Sequence, residues 1–239
     1  MATNQQRLQS IVQAHAPNQL LLEDFQHFHL SVKQKLWSVD YFHNQISELR
    51  PEVLYQQQQT RGSTLVLKEP YINKEGFGLY ANLILDGFLM NAMAALDTLA
   101  HEIKVLYLFQ PMPQDVYIRA IKQRLRREHP FCSLTQYLAG ELTKPWFDPF
   151  ANYRHCTTHE SLVTSNVSYG ETLITGDPQQ PAFITLADDP RIRPCTYNLK
   201  RELKSYCVKI RNNVADLVRH SYHCVIQDIR AASNTLPIP

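Results

Sequence analysis

Apolar residues return at three- and four-residue steps through three long stretches of this chain, a rhythm that fits helix and little else. Over residues 20–49 the face is Phe25, Phe28, Val32, Leu36, Val39 and Phe42, and Pro51 ends it. Over 78–109 the stripe is Leu85, Leu89, Met93, Leu96, Ala100, Ile103 and Tyr107, closed by Pro111 and Pro113. Over 197–231 Leu199, Leu203, Tyr206, Ile210, Val214, Leu217, Ser221, Cys224 and Ile229 keep the step. Shorter helices are predicted over 113–127 and 145–163, with a helical fragment at 134–142. Seven glycines in 239 residues suit helices better than a turn-rich β architecture.

The period changes between the last two main helices. Residues 171–175 and 182–186 alternate around Gly176, Asp177 and Pro178, which predicts a β-hairpin inside an insertion spanning 168–195. Residues 64–67 read as a short strand and the polar run 56–59 as a loop. The predicted fold is mainly α: one helical bundle over 20–239 with a small β-hairpin insertion. Residues 1–19 are left as a lead-in free to be mobile.

Bulk properties exclude several classes. With 44% hydrophobic and 19% charged residues, the chain is neither a disordered tail nor a fibre. A net charge of +2 generates no global field toward nucleic acid, so any such contact needs a local patch. Cys132, Cys156, Cys195, Cys207 and Cys224 form no C-x-x-C pair, which predicts reduced thiols in a cytoplasmic setting. The first residues lack a basic start followed by an apolar run. The most apolar stretch, 85–109, is interrupted by Asp86, Asn91, Asp97, His101, Glu102 and Lys104 and is not expected to span a membrane.

One short pattern points at a reaction. Arg154 and His159 are separated by four residues, with His155 directly after the arginine, on the helix predicted over 145–163. A permanent guanidinium charge beside an imidazole that titrates near neutrality suits phosphodiester chemistry. Chance placement of 14 arginines and 10 histidines would give about 0.6 such pairs. The chain has two. The second, Arg124 and His129, lies in a basic run with Arg119, Lys122, Arg126 and Arg127, which reads as a solvated helix end or a set of phosphate contacts. Arg154 and His159 stand roughly 140° apart on one helix. Their side chains can converge through the length of arginine or across a two-fold interface.

An Arg, a polar residue, three further residues and a His on the third main helix of a bundle resemble the HEPN superfamily (higher eukaryotes and prokaryotes nucleotide-binding domains). The helix order, and the β-insertion before the closing helix, are similar to one branch of it. The resemblance implies a metal-independent endoribonuclease, a toxin or defence effector, that acts as a homodimer without a cofactor. It implies Arg154 and His159 as catalytic, with His155 orienting the phosphate or the arginine. An acidic residue from the second long helix would support them; Asp97 is the first choice and Glu102 the second. RNA would be the substrate, with Arg119, Lys122, Arg124, Arg126 and Arg127 as backbone contacts. Some members carry a tyrosine two residues after the histidine, which a nucleotidyltransferase antitoxin modifies. Here that position is Ser161.

Two rivals remain open at this stage. His155 and His159 share a helix face and could bind metal with His101, although Cys156 breaks the His-Glu-x-x-His pattern. A helical bundle can also be a non-catalytic nucleic-acid or protein interaction domain.

Overall fold

A computed structural model describes residues 4–15, 19–50, 74–107, 116–159, 165–168, 183–192 and 194–235. The predicted loop at 56–59, the strands at 64–67 and 171–175, and Ser161 lie outside these residues. The described chain is mainly helical with a small antiparallel sheet. In order come α1 (Asn4–His15), α2 (Gln19–Glu48), α3 (Lys74–Leu106), α4 (Ile118–Glu128), α5 (Ser133–Glu141) and α6 (Phe147–His159). Then follow β1 (Ser165–Ser168), β2 (Phe183–Leu186), β3 (Arg201–Glu202) and α7 (Leu203–Thr235).

Two compact units share these elements: Met1–Trp37, Asn91–Asp148 and Asn212–Pro239 in the first, and Ser38–Met90 and Pro149–Arg211 in the second. Four helices contribute to both. In the first unit Phe25, Val32, Leu96, Leu99, Ile103, Leu217, Val218 and Val225 are buried, the helical-period positions read from the sequence among them. Residues 4–15, left as a mobile lead-in, instead form α1 and bury Leu8 and Val12. Their four-residue spacing is one helix face. Asp228 of α7 anchors the start of α5. Its carboxylate accepts from the Tyr107 hydroxyl at 2.6 Å and from the Ser133 and Leu134 N–H groups at 2.7 and 3.2 Å. Those two N–H groups belong to the first turn of α5, where orphan donors need an acceptor.

In the second unit Val39, Ile46, Leu85, Phe88, Leu89, Phe150, Ile184, Leu186, Leu203 and Ile210 are buried. Its sheet runs in the order β1-β2-β3, all neighbours antiparallel. The sequence places β2 correctly, and the partner predicted for it, 171–175, lies outside the described residues. Ser165–Ser168 pairs with it, Ser168 facing Phe183, and Arg201–Glu202 pairs on the other edge. Neither partner shows apolar alternation, so neither was visible as a strand. The last helix starts later than the apolar step suggested because Glu202 caps it. That carboxylate accepts from the Lys204 and Ser205 N–H groups at 2.9 and 2.6 Å.

The segment Gly78–Leu106 of α3 is apolar and long enough to cross a membrane by length and composition alone. In the fold its apolar side chains Leu85, Phe88, Leu89, Ala92, Leu96, Leu99 and Ile103 are buried within the protein.

Gly87 is where α3 most tightly limits side-chain size. A Cβ there would lie 2.5 Å from Phe42 Cε1 and 2.6 Å from Cζ. Gly87→Ala is expected to destabilise the protein on balance: overpacking costs about 1–3 kcal/mol, against a helix-propensity gain of about 1 kcal/mol. In a Phe42→Ala background the same change should turn stabilising by about 1 kcal/mol, since only the propensity gain remains. Urea unfolding of the four proteins measures both effects.

Candidate functional site

The motif helix α6 owes its orientation to a three-residue apolar step. Phe147, Phe150, Tyr153 and Cys156 are all buried, so the helix side between them is turned inward. Asp148 in its first turn suits the positive end of the helix dipole. With that face committed, Arg154 is half-buried and His155 exposed. Helical backbone continues to His159, whose side chain lies outside the described residues.

Tyr153 fixes this helix against the sheet. Its hydroxyl donates to the Ala187 carbonyl just after β2 and accepts from Arg201 Nη1 at 2.6 Å. The Arg201 guanidinium lies 5.5 Å above the Tyr153 ring and 5.7 Å above that of Tyr206, and also donates to the Asp188 carbonyl at 3.3 Å. Tyr153 and Tyr206 meet edge to face at 5.3 Å. Burial pushes the Tyr153 phenol above its ordinary range, partly offset by Arg201. One turn on, the Cys156 thiol donates to the Pro190 carbonyl at 3.7 Å. Thus residues 187–190 lie against the same helix face that carries Tyr153 and Cys156, and Arg154 follows directly. The Arg154 carbonyl accepts from the Thr157 hydroxyl at 2.8 Å.

The segment after β2 is held by two carboxylates. Asp188 accepts from the Thr196 hydroxyl and the Asn198 N–H at 2.8 Å, and from the Leu199 N–H at 2.9 Å. Desolvation pulls its carboxyl up, but these three donors and Arg201 outweigh that and hold it below its usual value. Asp189 forms a two-oxygen pair with Arg191, Nε at 3.0 Å and Nη2 at 2.8 Å, and accepts from the Arg191 N–H at 2.9 Å. The Arg191 side chain, then its backbone N–H, lower this carboxyl to about 2.

The supporting acid chosen from the sequence, Asp97, belongs to the first unit, and Arg154 and His155 to the second. Asp97 Oδ1 accepts from the Ile118 N–H at 3.4 Å, at the start of α4, where Tyr117 supplies no side-chain cap. Its observed contact is therefore a helix-terminus contact. Glu102, the second choice, is fully buried in the first unit and takes His29 and Tyr222 as partners. His101, of the metal alternative, is stacked on Phe28 at 5.1 Å, and burial together with Lys104 lowers its pKa. Among the described residues no group of three or more His, Cys, Asp and Glu is arranged to hold a metal ion.

The second Arg-x4-His copy has a structural assignment. Helix α4 buries Ile118, Ile121 and Leu125 and exposes Arg119, Arg126 and Arg127, with Lys122 and Arg124 half-buried. Arg119 pairs with Asp148 and lies 5.0 Å over the Phe147 ring; Arg124 pairs with Glu128 one turn on. Arg126 and Arg127 are exposed in the last turn and Lys122 is half-buried. His129 is the C-cap residue: its N–H donates to the Leu125 carbonyl at 2.7 Å. Its own carbonyl accepts from the Thr135 hydroxyl at 2.7 Å. The five basic side chains thus run along α4 from its first turn to its last, and two of them are already paired to carboxylates.

The sequence reading missed Tyr153 as a polar anchor and Arg201 as its partner. Tyr153 was legible only as one more apolar position, because nothing in its neighbourhood reveals a partner 48 residues away. No family model, no curated protein and no solved structure matches this chain.

Two outcomes follow. Tyr153→Phe leaves the buried Ala187 carbonyl without its donor and should cost about 1–3 kcal/mol in chemical denaturation. The fold-stabilising effect of Asp189, whose carboxyl is depressed to about 2, should be complete above the unfolded value of about 4 and lost as pH falls toward 2. Titration of the Arg191 amide by NMR should report that transition, and Asp189→Asn should abolish it.

Proposed function

We propose that the chain is a HEPN-like, metal-independent endoribonuclease built on a helical bundle, with Arg154, His155 and His159 as its working residues. The observation that carries this reading is the disposition of α6. Its buried stripe of Phe147, Phe150, Tyr153 and Cys156 keeps Arg154 and His155 out of the core while uninterrupted helix leads to His159. Tyr153, just before the motif, and Cys156, within it, tie the helix to residues 187–190 and Arg201. Such a rigid support is what a reactive pair requires.

In this reading an imidazole at His159 takes the proton of an RNA 2′-hydroxyl. The 2′-oxygen forms a bond to the adjacent phosphorus, and the bond from phosphorus to the 5′-oxygen breaks. A second imidazole, from a partner copy, returns a proton to the leaving 5′-oxygen, so the ends are a 2′,3′-cyclic phosphate and a 5′-hydroxyl. Arg154 offers two parallel N–H groups to the non-bridging oxygens as charge builds, and His155 orients the phosphate.

A homodimer would bring two motifs together and remove the difficulty that Arg154 and His159 diverge on one helix. Leu79, Leu83 and Met90 support this, being 52%, 53% and 43% exposed on one face of α3 in the same unit as Arg154. An apolar row of that kind suits a contact between copies. A role as toxin or defence effector rests on the resemblance alone.

The test is cleavage of single-stranded RNA in EDTA by the purified protein. Wild type should leave 2′,3′-cyclic phosphate ends, and His159→Ala should lose roughly 10²–10⁴-fold in rate. Arg154→Lys should lose much of the activity despite keeping its charge, because a point charge cannot contact two oxygens at once. Arg124→Ala should retain the chemistry and at most weaken RNA affinity, with a shallower salt dependence. Cleavage that survives both Arg154→Ala and His159→Ala, or a wild type that cuts nothing, overturns the proposal and leaves an interaction domain.

A further inference from the structure

A second polar cluster lies in the first unit, and the ribonuclease reading makes no use of it. Glu102 is fully buried in α3, among the buried apolar residues Leu99, Ala100 and Ile103 of the same helix. One carboxylate oxygen faces His29 Nδ1 of α2 at 2.8 Å, and the other accepts from the Tyr222 hydroxyl of α7 at 2.9 Å. Burial pushes the Glu102 carboxyl up, while His29 and Tyr222 draw it back. The imidazole is also held from its faces, stacked on Phe25 at 5.1 Å and tilted against Tyr222 at 5.3 Å. Two hydrogen-bond partners and two ring contacts for one buried acid and one imidazole fix the ring in a single orientation. With Nδ1 turned to Glu102, Nε2 is the nitrogen left to face outward.

His29 lines a cleft of about 400 Å³ between α1 and α2. The remaining wall is Gln6 and Gln9 from α1, and Phe25, Gln26, Leu30 and Lys33 from α2. Helical spacing explains the grouping. Gln26, His29 and Lys33 are three and four residues apart on α2, and Gln6 and Gln9 are three apart on α1, so each set shares a face. The cleft is therefore lined by a lysine, a histidine and three carboxamide residues, and none of its described lining residues is a carboxylate; the Lys33 ammonium rests 5.0 Å over the Trp37 ring, one turn along α2, and reaches a bound anion by rotating its flexible stem. Glu102 stands behind His29 and can accept from Nδ1–H while Nε2–H donates outward, the arrangement in which a buried acid stabilises an imidazolium.

We propose that this cleft binds the phosphate group of a small phosphorylated ligand. His29 Nε2–H and Lys33 are the charged donors and Gln6, Gln9 and Gln26 the neutral ones. Donor count selects the class. Five side chains bring more N–H groups than the two oxygens of a carboxylate use, whereas a phosphate monoester presents three oxygens with several acceptor directions each. Lys33 delivers a point charge suited to a tetrahedral anion, and a charge-assisted contact outweighs a neutral one. In the complex Nδ1–H donates to Glu102 and Nε2–H to a phosphate oxygen. The site lies wholly within the first unit, so it stands or falls independently of the chemistry assigned to Arg154.

The experiment follows the His29 ring protons by NMR in the full-length protein, assigned with His29→Gln, while inorganic phosphate, glycerol phosphate, acetate or chloride is added at constant ionic strength. Phosphate should shift the ring saturably, and glycerol phosphate should do so at least as tightly. Acetate should bind about tenfold more weakly, and chloride should leave the ring unmoved. Lys33→Met removes an exposed cation and should weaken phosphate about tenfold without lowering the melting temperature. Gln26→Leu, also at an exposed position, should weaken it by a smaller factor. Arg154→Ala should leave the titration as in wild type. A tighter hold on glycerol phosphate than on inorganic phosphate would identify an organic ester as the ligand, and equal affinity would identify free phosphate. A shift reproduced by chloride, acetate binding as tightly as phosphate, or a titration unchanged in both Lys33→Met and Gln26→Leu overturns the proposal.

Discussion

One phenolic oxygen joins three parts of the second unit. The Tyr153 hydroxyl, on the motif helix, meets the carbonyl that ends β2 and the guanidinium of β3, the strand that leads into α7. Each of those elements alone is weak: β1 and β2 have four residues and β3 has two. A sheet of that size does not hold together without a helix to cover it. Tyr153 satisfies a buried carbonyl, Arg201 covers two aromatic rings, and Cys156 repeats the link one turn away. Arg154 takes its orientation from this clamp, so the chemistry proposed for the motif depends on a residue that reacts with nothing.

The first unit solves a comparable problem with carboxylates. Asp228 gathers a tyrosine and the first turn of α5, Asp97 contacts the start of α4, and Glu102 sits between two aromatic-ring partners. Helix termini and buried hydroxyls supply donors that an apolar core cannot satisfy, and an acid projecting from a neighbouring helix can do so. The same residue types could have served a catalytic site. Their neighbours include backbone N–H groups, two tyrosine hydroxyls and an imidazole nitrogen.

What could be read from the sequence divides along physical lines. The long helices were legible because their apolar period repeats through many turns, which makes the signal insensitive to any one residue. Strand β2 was legible from Phe183, Thr185 and their neighbours. Its partners were not, because Ser165–Ser168 and Arg201–Glu202 are too short and too polar to alternate. The start of α7 was misread because an apolar step continues through Leu199, while the cap at Glu202 is a polar feature that the period does not register. At the candidate site, the helix carrying Arg154 and His155 was found by spacing. The partners of Asp97 and Glu102 were not, since hydrogen bonds spanning 21, 73 and 120 residues leave no trace in local sequence. A glutamate inside an apolar helical stretch was the one available hint, because such a group needs a buried partner.

Glu202 does two jobs with one residue. Its position in the ladder faces Thr185 of β2, and its carboxylate holds the first N–H groups of α7, with no loop residue between strand and helix. Lys200, just before it, takes a φ of 45°, so the chain turns sharply into that short strand. Separating β3 from β2 would withdraw the cap at the same moment, and fraying the first turn of α7 would loosen the edge of the sheet. Sheet edge and helix start therefore form one cooperative opening unit in the second unit's stability landscape, and neither can breathe alone.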